Sequence, residues 1–157
     1  SEKAVALFEK FGIYTKAELE SREEIIYETY AKTINIEALT MIDMAGKQII
    51  PAVVKYTKTL ADTANAIKAA GGDASVQTEL LADVSTKLAA MQKELNKLVA
   101  DEKEASAMED VKAQAFFYKD TIKATMDELR KPADELEMIV DKDVWPIPTY
   151  GELMFEV

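Results

Sequence analysis

The sequence predicts an all-α protein, an elongated antiparallel bundle of three long helices. Three observations predict it. An apolar seam runs in helical phase from Ile26 to Ile67 with no turn inside it. A second seam, Leu81, Val84, Leu88, Met91, Leu95 and Leu98, alternates by three and four as a heptad does. The clearest punctuation between them is Gly71-Gly72-Asp73, a helix stop followed by an N-cap residue. Only five Gly and four Pro stand among 157 residues, so loops are expected to be few or short.

A short N-terminal helix over residues 2–11 comes first, with Ala4, Leu7, Phe8 and Phe11 on its apolar face and Gly12 as its stop. Thr15-Lys16-Ala17-Glu18 has the spacing of a capping box, with Tyr14 and Leu19 placed for a hydrophobic staple. The first long helix is therefore expected from Lys16 to about 70, roughly 80 Å at about 1.5 Å per residue. The bundle is organised around its Thr33–Tyr56 stretch, where Ile34, Ala38, Met41, Ala45, Ile49, Ala52 and Tyr56 form the buried stripe. Glu37, Asp43, Lys47, Gln48 and Lys55 argue against a membrane span there. Pro51 removes one backbone donor, but the seam keeps its phase, so a kink is expected, with Gly46 making room for it.

The second long helix should end near Glu104, and Ser106-Ala107-Met108-Glu109 has capping-box spacing for a third. The third carries Met108, Val111, Ala115, Ile122, Met126, Leu129, Ala133, Leu136 and Val140, thickened by Phe116, Phe117 and Tyr118. At Pro132 a kink is expected, with a fresh helix start as the alternative. The tail holds the one Trp and two prolines in Trp145-Pro146-Ile147-Pro148, and is expected to be extended, with Thr149 capping a last turn. The organisation is thus 1–14 as a short helix and linker, 15–140 as the bundle and 141–157 as a docking tail. The first helix is too long for its partners to cover, so part of it should protrude or be covered by something outside this chain.

Composition narrows the chemistry. A net charge of −10 argues against nucleic-acid binding, which needs basic patches. Without Cys or His there is no disulfide framework, no zinc site of the usual ligands and no histidine catalysis. The chain begins at Ser1 and enters a helix at once, which is expected of a piece cut from a longer protein or of a processed start; cytoplasmic is the default expectation. The acidic runs at Glu20–Glu24 and Asp101–Glu104 lack the spacing of a calcium loop and are expected to be solvated faces. Gly71-Gly72 lacks the Lys-Ser/Thr of a phosphate loop. No catalytic, cofactor-binding or metal-binding residue is assigned.

The residues singled out are structural. Glu37, beside Asn35, lies at the edge of the apolar stripe and is expected in an ion pair with a Lys, Arg22 or Arg130. Ile36, Ile50 and Val54 fall about 160–200° from Ile34 on the wheel and should form a second, partner-facing surface. Trp145, Tyr150, Leu153 and Phe155 are expected to dock the tail on the bundle or on an adjacent core.

Two stretches carry a resemblance: INIEALTMIDMAGKQIIPAVVKY at 34–56 and MDELRKPADELEMIVDKDVWPIPTYGELMFEV at 126–157. Both resemble the C-terminal region of type III glutamine synthetases, and FEKFGIYTKAELESR resembles the segment just ahead of it. The Trp145-Pro146-x-Pro148-Thr149-Tyr150 motif with Leu153 and Phe155 is the most specific part. The resemblance implies a parent ligase that joins ammonia to glutamate using ATP and Mg or Mn, as a ring-based homo-oligomer. Its metal, nucleotide and phosphate motifs precede this region, so no catalytic residue is carried over. The partners implied are the catalytic core of the same protein and neighbouring subunits, with no nucleic acid and no membrane. The alternative from another class is a free-standing helical interaction or sensor module.

Overall fold

The structure, a computed structural model, describes residues 1–148 and 150–155, with Tyr150 and Gly151 by backbone alone. It is helical throughout, with no strand among the described residues. Helix α1 spans Glu2–Lys10, α2 Lys16–Met44, α3 Ile50–Ala69, α4 Ser75–Ser106, α5 Val111–Phe117, α6 Lys123–Glu137 and α7 Tyr150–Phe155. Two π-helical turns, Ala45–Ile49 and Tyr118–Ile122, join α2 to α3 and α5 to α6 without a break. The three expected long helices are therefore α2–α3, α4 and α5–α6.

Local chemistry sets the ends. Thr15 Oγ1 accepts from the Glu18 N–H at 3.3 Å and Glu18 Oε2 accepts from the Thr15 N–H at 2.8 Å, the reciprocal capping box. Gly12 (φ 61°) and Gly71 (φ 80°) occupy the left-handed position that ends a helix. At the second, the Gly72 N–H reaches back to the Ile67 carbonyl at 2.9 Å and the Gly71 N–H to Lys68 at 3.0 Å. Asp73 receives the Ser75 N–H at 2.9 Å, one residue ahead of the position expected of it, since α4 begins at Ser75 with Ala74 as N-cap. Helix α4 also runs on to Ser106, so the box expected at Ser106–Glu109 does not form. The cap of α5 is Asp110, which accepts from the Ala113 N–H at 2.6 Å. Pro132 lies inside α6, buried and facing the core, and no new helix starts there.

At Pro51, where a kink is expected, the helix runs on through a π-turn. In that turn the Ile50 N–H donates to the Ala45 carbonyl, five residues back. A π-turn holds one extra residue, so it loosens the helix just where proline cannot donate and its ring would crowd an α-turn. Gly46 is not demanded by close approach: a Cβ there would lie 3.6 Å from Leu95 Cδ2, an ordinary contact.

Packing follows from the hairpins. Helix α4 pairs with α3 on one side and with α6 on the other, and α2 packs on α5 and the second π-turn. The core holds Ile34, Ala38, Ile49 and Val53 from the first long helix and Val84, Met91 and Leu98 from α4. Tyr118, Ile122, Leu129 and Leu136 complete it from the third. Each large side chain fully buried there is worth about 1.5–3 kcal/mol. Lys87, on α4, bonds Asp83 and reaches Glu135 of α6 at 3.7 Å, which marks how far α6 extends along α4. Beyond it, α3 and α4 continue as a two-helix hairpin to Gly71.

Candidate functional site

A concavity lies between α2, α6 and the tail. It is an open groove of about 570 Å³. Its floor is apolar and rich in methionine: Met41 and Met44 from α2, Met91 from α4, Met126 and Leu129 from α6. Four of the seven methionines of the chain meet here. The first π-turn contributes Ala45 and Ile49. Trp145 and Ile147 close one wall; both pack on the core, and the buried Trp145 indole nitrogen has no hydrogen-bond partner among the described residues. Within the tail, the Val144 and Trp145 N–H groups donate to the Asp141 carbonyl, each at 2.9 Å, and form the turn that precedes this wall. The rim is charged. Glu37, Asp134 and Glu137 stand on it with Arg130, whose Nε donates to Asp134 at 3.1 Å.

The expected ion pair of Glu37 is corrected by this geometry. Glu37 is exposed, and among the described residues it has no salt bridge. The buried stripe of α2 is centred nearer Ala38, about 40° past Ile34 at about 100° per residue, on the side of Asn35. Glu37 then lies about 100° from its centre. Arg22 sits 4.5 Å over the Tyr14 ring and Arg130 is engaged by Asp134, so neither arginine is its partner. The buried polar link is at its neighbour. Asn35 Nδ2 donates to the Tyr118 hydroxyl at 2.8 Å, tying α2 to the second π-turn. A further polar pair, Thr125 Oγ1 donating to Asp101 Oδ2 at 2.7 Å, joins α6 to α4 and has no motif that could have announced it.

The expected second face of α2–α3 is divided. Ile36 (66%) and Val54 (51%) are exposed, but Ile50 is half-buried and packs against the core. The π-turn is the reason. One extra residue turns everything after it back by about 100° relative to an unbroken α-wheel. Ile50 moves from about 160° to about 60° from Ile34, and Val53 swings from the flank into the core, where it is fully buried.

In the tail, Leu153 (68%) and Phe155 (80%) are exposed, so docking on this chain rests on Trp145 and Ile147. Lys142 Nζ meets Glu152 Oε1 at 3.2 Å and holds the short α7 in place through charge. The Thr149 cap and the Tyr150 side chain lie outside the described residues. The acidic runs are engaged in pairs: Glu23 with Lys112 at 3.6 Å, Glu20 with Lys16 at 3.6 Å, and Glu102 accepting from Ser106 Oγ at 2.5 Å. Among the described residues no group of three or more potential metal ligands converges, and no helix is long and apolar enough to cross a membrane.

Residues 1–68, that is α1 through α3, match the family model described as the glutamine synthetase C-terminal domain. Over its full length the chain is 38% identical to a glutamine synthetase of Butyrivibrio fibrisolvens. The chain is thus similar over its full length to glutamine synthetases, and over residues 1–68 to their C-terminal domain. It is also 32% identical, over 99% of its length, to a type-3 glutamine synthetase of Dictyostelium discoideum, the class to which the resemblance pointed. A glutamine synthetase of Bacteroides fragilis is 28% identical over 91% of the chain. The chain spans 20–23% of the length of these curated relatives. In those relatives the matching region is one part of a much longer polypeptide.

Proposed function

We propose that this glutamine synthetase C-terminal domain is a non-catalytic helical element that helps to assemble or stabilise a cytoplasmic, oligomeric glutamate–ammonia ligase. The ligase would use ATP and Mg or Mn bound by its other regions. One observation carries the reading. Leu7 (54%), Phe11 (66%), Ile13 (56%), Ile25 (59%) and Ile26 (67%) are exposed, and all belong to α1, its turn or the first turns of α2. Exposed apolar residues concentrated at one end of a domain mark a contact surface. All five lie within the family-model match, and the relatives hold several times more polypeptide that can meet them. The partners that fit are the catalytic core of the same protein and neighbouring subunits.

The chemistry available supports a non-catalytic role. A chain without His cannot supply a metal-site His, and no glycine-rich loop precedes a Lys-Ser/Thr pair to cradle a phosphate. The test has two arms. In the parent enzyme, Phe11→Glu with Ile26→Glu should lower the mass seen by light scattering and reduce synthetase activity. Unchanged assembly, activity and stability would mean that this end meets only water. For the chain alone, calorimetry with ATP and magnesium should give no binding heat; micromolar affinity would overturn the assignment.

A further inference from the structure

We infer that the methionine-floored groove between α2, α6 and the tail is a docking site for a basic amphipathic helix of a partner protein. This site is distinct from the apolar N-terminal end and stands without the assembly role proposed for it.

Three features point to that occupant. The first is the floor. Met41, Met44 and Met126 are only partly buried, so apolar surface remains open to a partner. Thioether side chains are unbranched and polarisable, and they remould around different apolar anchors better than Leu or Ile can. A groove of about 570 Å³ is in the range of sites that take ligand-sized apolar groups. An amphipathic helix offers such groups as a row of side chains at spacings of three and four. The second is the lip. Ile36 is 66% exposed beside the groove, so apolar surface continues from floor to edge.

The third is charge, which selects among possible helices. The rim holds three carboxylates, Glu37, Asp134 and Glu137, against the single guanidinium of Arg130. Arg130 is already bonded to Asp134, while Glu37 and Glu137 have no ion pair among the described residues. Two carboxylates flanking an apolar floor, in a chain of net charge −10, complement Lys or Arg beside an apolar stripe. The same carboxylates repel an acidic helix, and α7, with Glu152, is disfavoured as the occupant from a second copy for that reason.

Trp145 provides the readout, because it is the one Trp of the chain and forms the groove wall. The chain is titrated with a Trp-free synthetic amphipathic helix of leucine and lysine. The expected result is a saturable change in Trp145 emission, with gain of helical circular dichroism by the peptide. The peptide with glutamate in place of lysine should not bind. Glu37→Lys with Glu137→Lys should weaken binding at least about tenfold, while Glu20→Lys with Glu24→Lys, an equal change of charge far from the groove, should leave it nearly unchanged. Circular dichroism of each variant confirms the fold, and Ile36→Asp at the exposed lip serves as a second groove variant. Equal weakening by the two charge variants would reduce the effect to net charge and overturn the site. So would binding without a Trp145 response, or equal binding of the acidic peptide. A chain that is dimeric until Ile36→Asp is introduced would assign the groove to a second copy instead.

Discussion

At the scale of single residues, two neighbours on α2 have exchanged the parts expected of them. Glu37, a charge in an apolar stretch, faces the rim of the groove; Asn35 makes the buried polar link. Tyr118 is 1% exposed and receives its hydrogen bond from Asn35 at 2.8 Å. Asn35→Ala leaves that hydroxyl without its donor and should cost about 1–3 kcal/mol in urea unfolding. Glu37→Ala should stay within about 0.5 kcal/mol. Asn35 was visible as a polar residue in an apolar run, but a partner 83 residues away has no local signature. The Thr15–Glu18 box was fully legible, because its whole geometry lies within one turn. The Glu18 carboxylate is held below the ordinary glutamate range, first by the Thr15 backbone N–H, then by the Thr15 hydroxyl, with Arg22 adding charge. A carboxylate whose pKa is lowered by folding stabilises the fold above its unfolded pKa and loses that contribution as pH falls through the folded value. Amide protection at Thr15 and Glu18 should therefore fall on acidification below the ordinary carboxylate range. Protection that is unchanged in acid would mean that the box does not hold the helix start.

At the scale of elements, the positions of the long helices were legible because each seam and each glycine stop is a local pattern. The π-turns were not, because a helical wheel assumes one angular step throughout. Before Ala45 the wheel describes burial well; after it, every residue is displaced by one place. The seam nevertheless looked continuous through Leu60 and Ala64, since apolar residues sit on both sides of the step. Fully buried Val53 and half-buried Ile50 expose the difference. Deleting Gln48, an exposed residue of the first π-turn, should restore an α-turn and rotate α3 by about 100° against α4. Val53 would leave the core, and the urea midpoint should fall sharply. A midpoint close to that of the parent chain would show that α3 can repack in either register. The capping error at Ser106–Glu109 has a different origin. Ser106 is still the last residue of α4 and its hydroxyl turns back to Glu102, while Asp110, one place past Glu109, accepts the Ala113 N–H and caps the next helix.

At the scale of the whole molecule, stability is distributed unevenly along the long axis. Around Tyr118, Met91 and Leu129 three helices share a core; past the Lys87–Glu135 contact α6 soon ends and α3 and α4 run on to their turn at Gly71. The buried residues of that hairpin are Leu60, Ala64, Ala74 and Val84, smaller as a set than those around Tyr118. Hydrogen exchange should therefore be fastest, among the long helices, over residues 61–80, and slowest around Met91 to Leu98. Uniform protection along α4 would show one cooperative unit instead. The sequence indicated that the first helix outruns its partners, because length in residues converts directly to length in space. It could not say which end is left over, since that depends on where α6 stops. The rod has a mechanical consequence. Residues 16–69 form one unbroken helix about 80 Å long, with apolar side chains at its start and an open glycine turn at its far end. Any body that grips the Phe11 end holds the short arm of a lever. A tilt of about 5° at the grip carries the Gly71 tip through about 7 Å, roughly the width of a side chain and its contact shell. A small rotation at the base is thus amplified into a displacement large enough to make or break a contact at the tip.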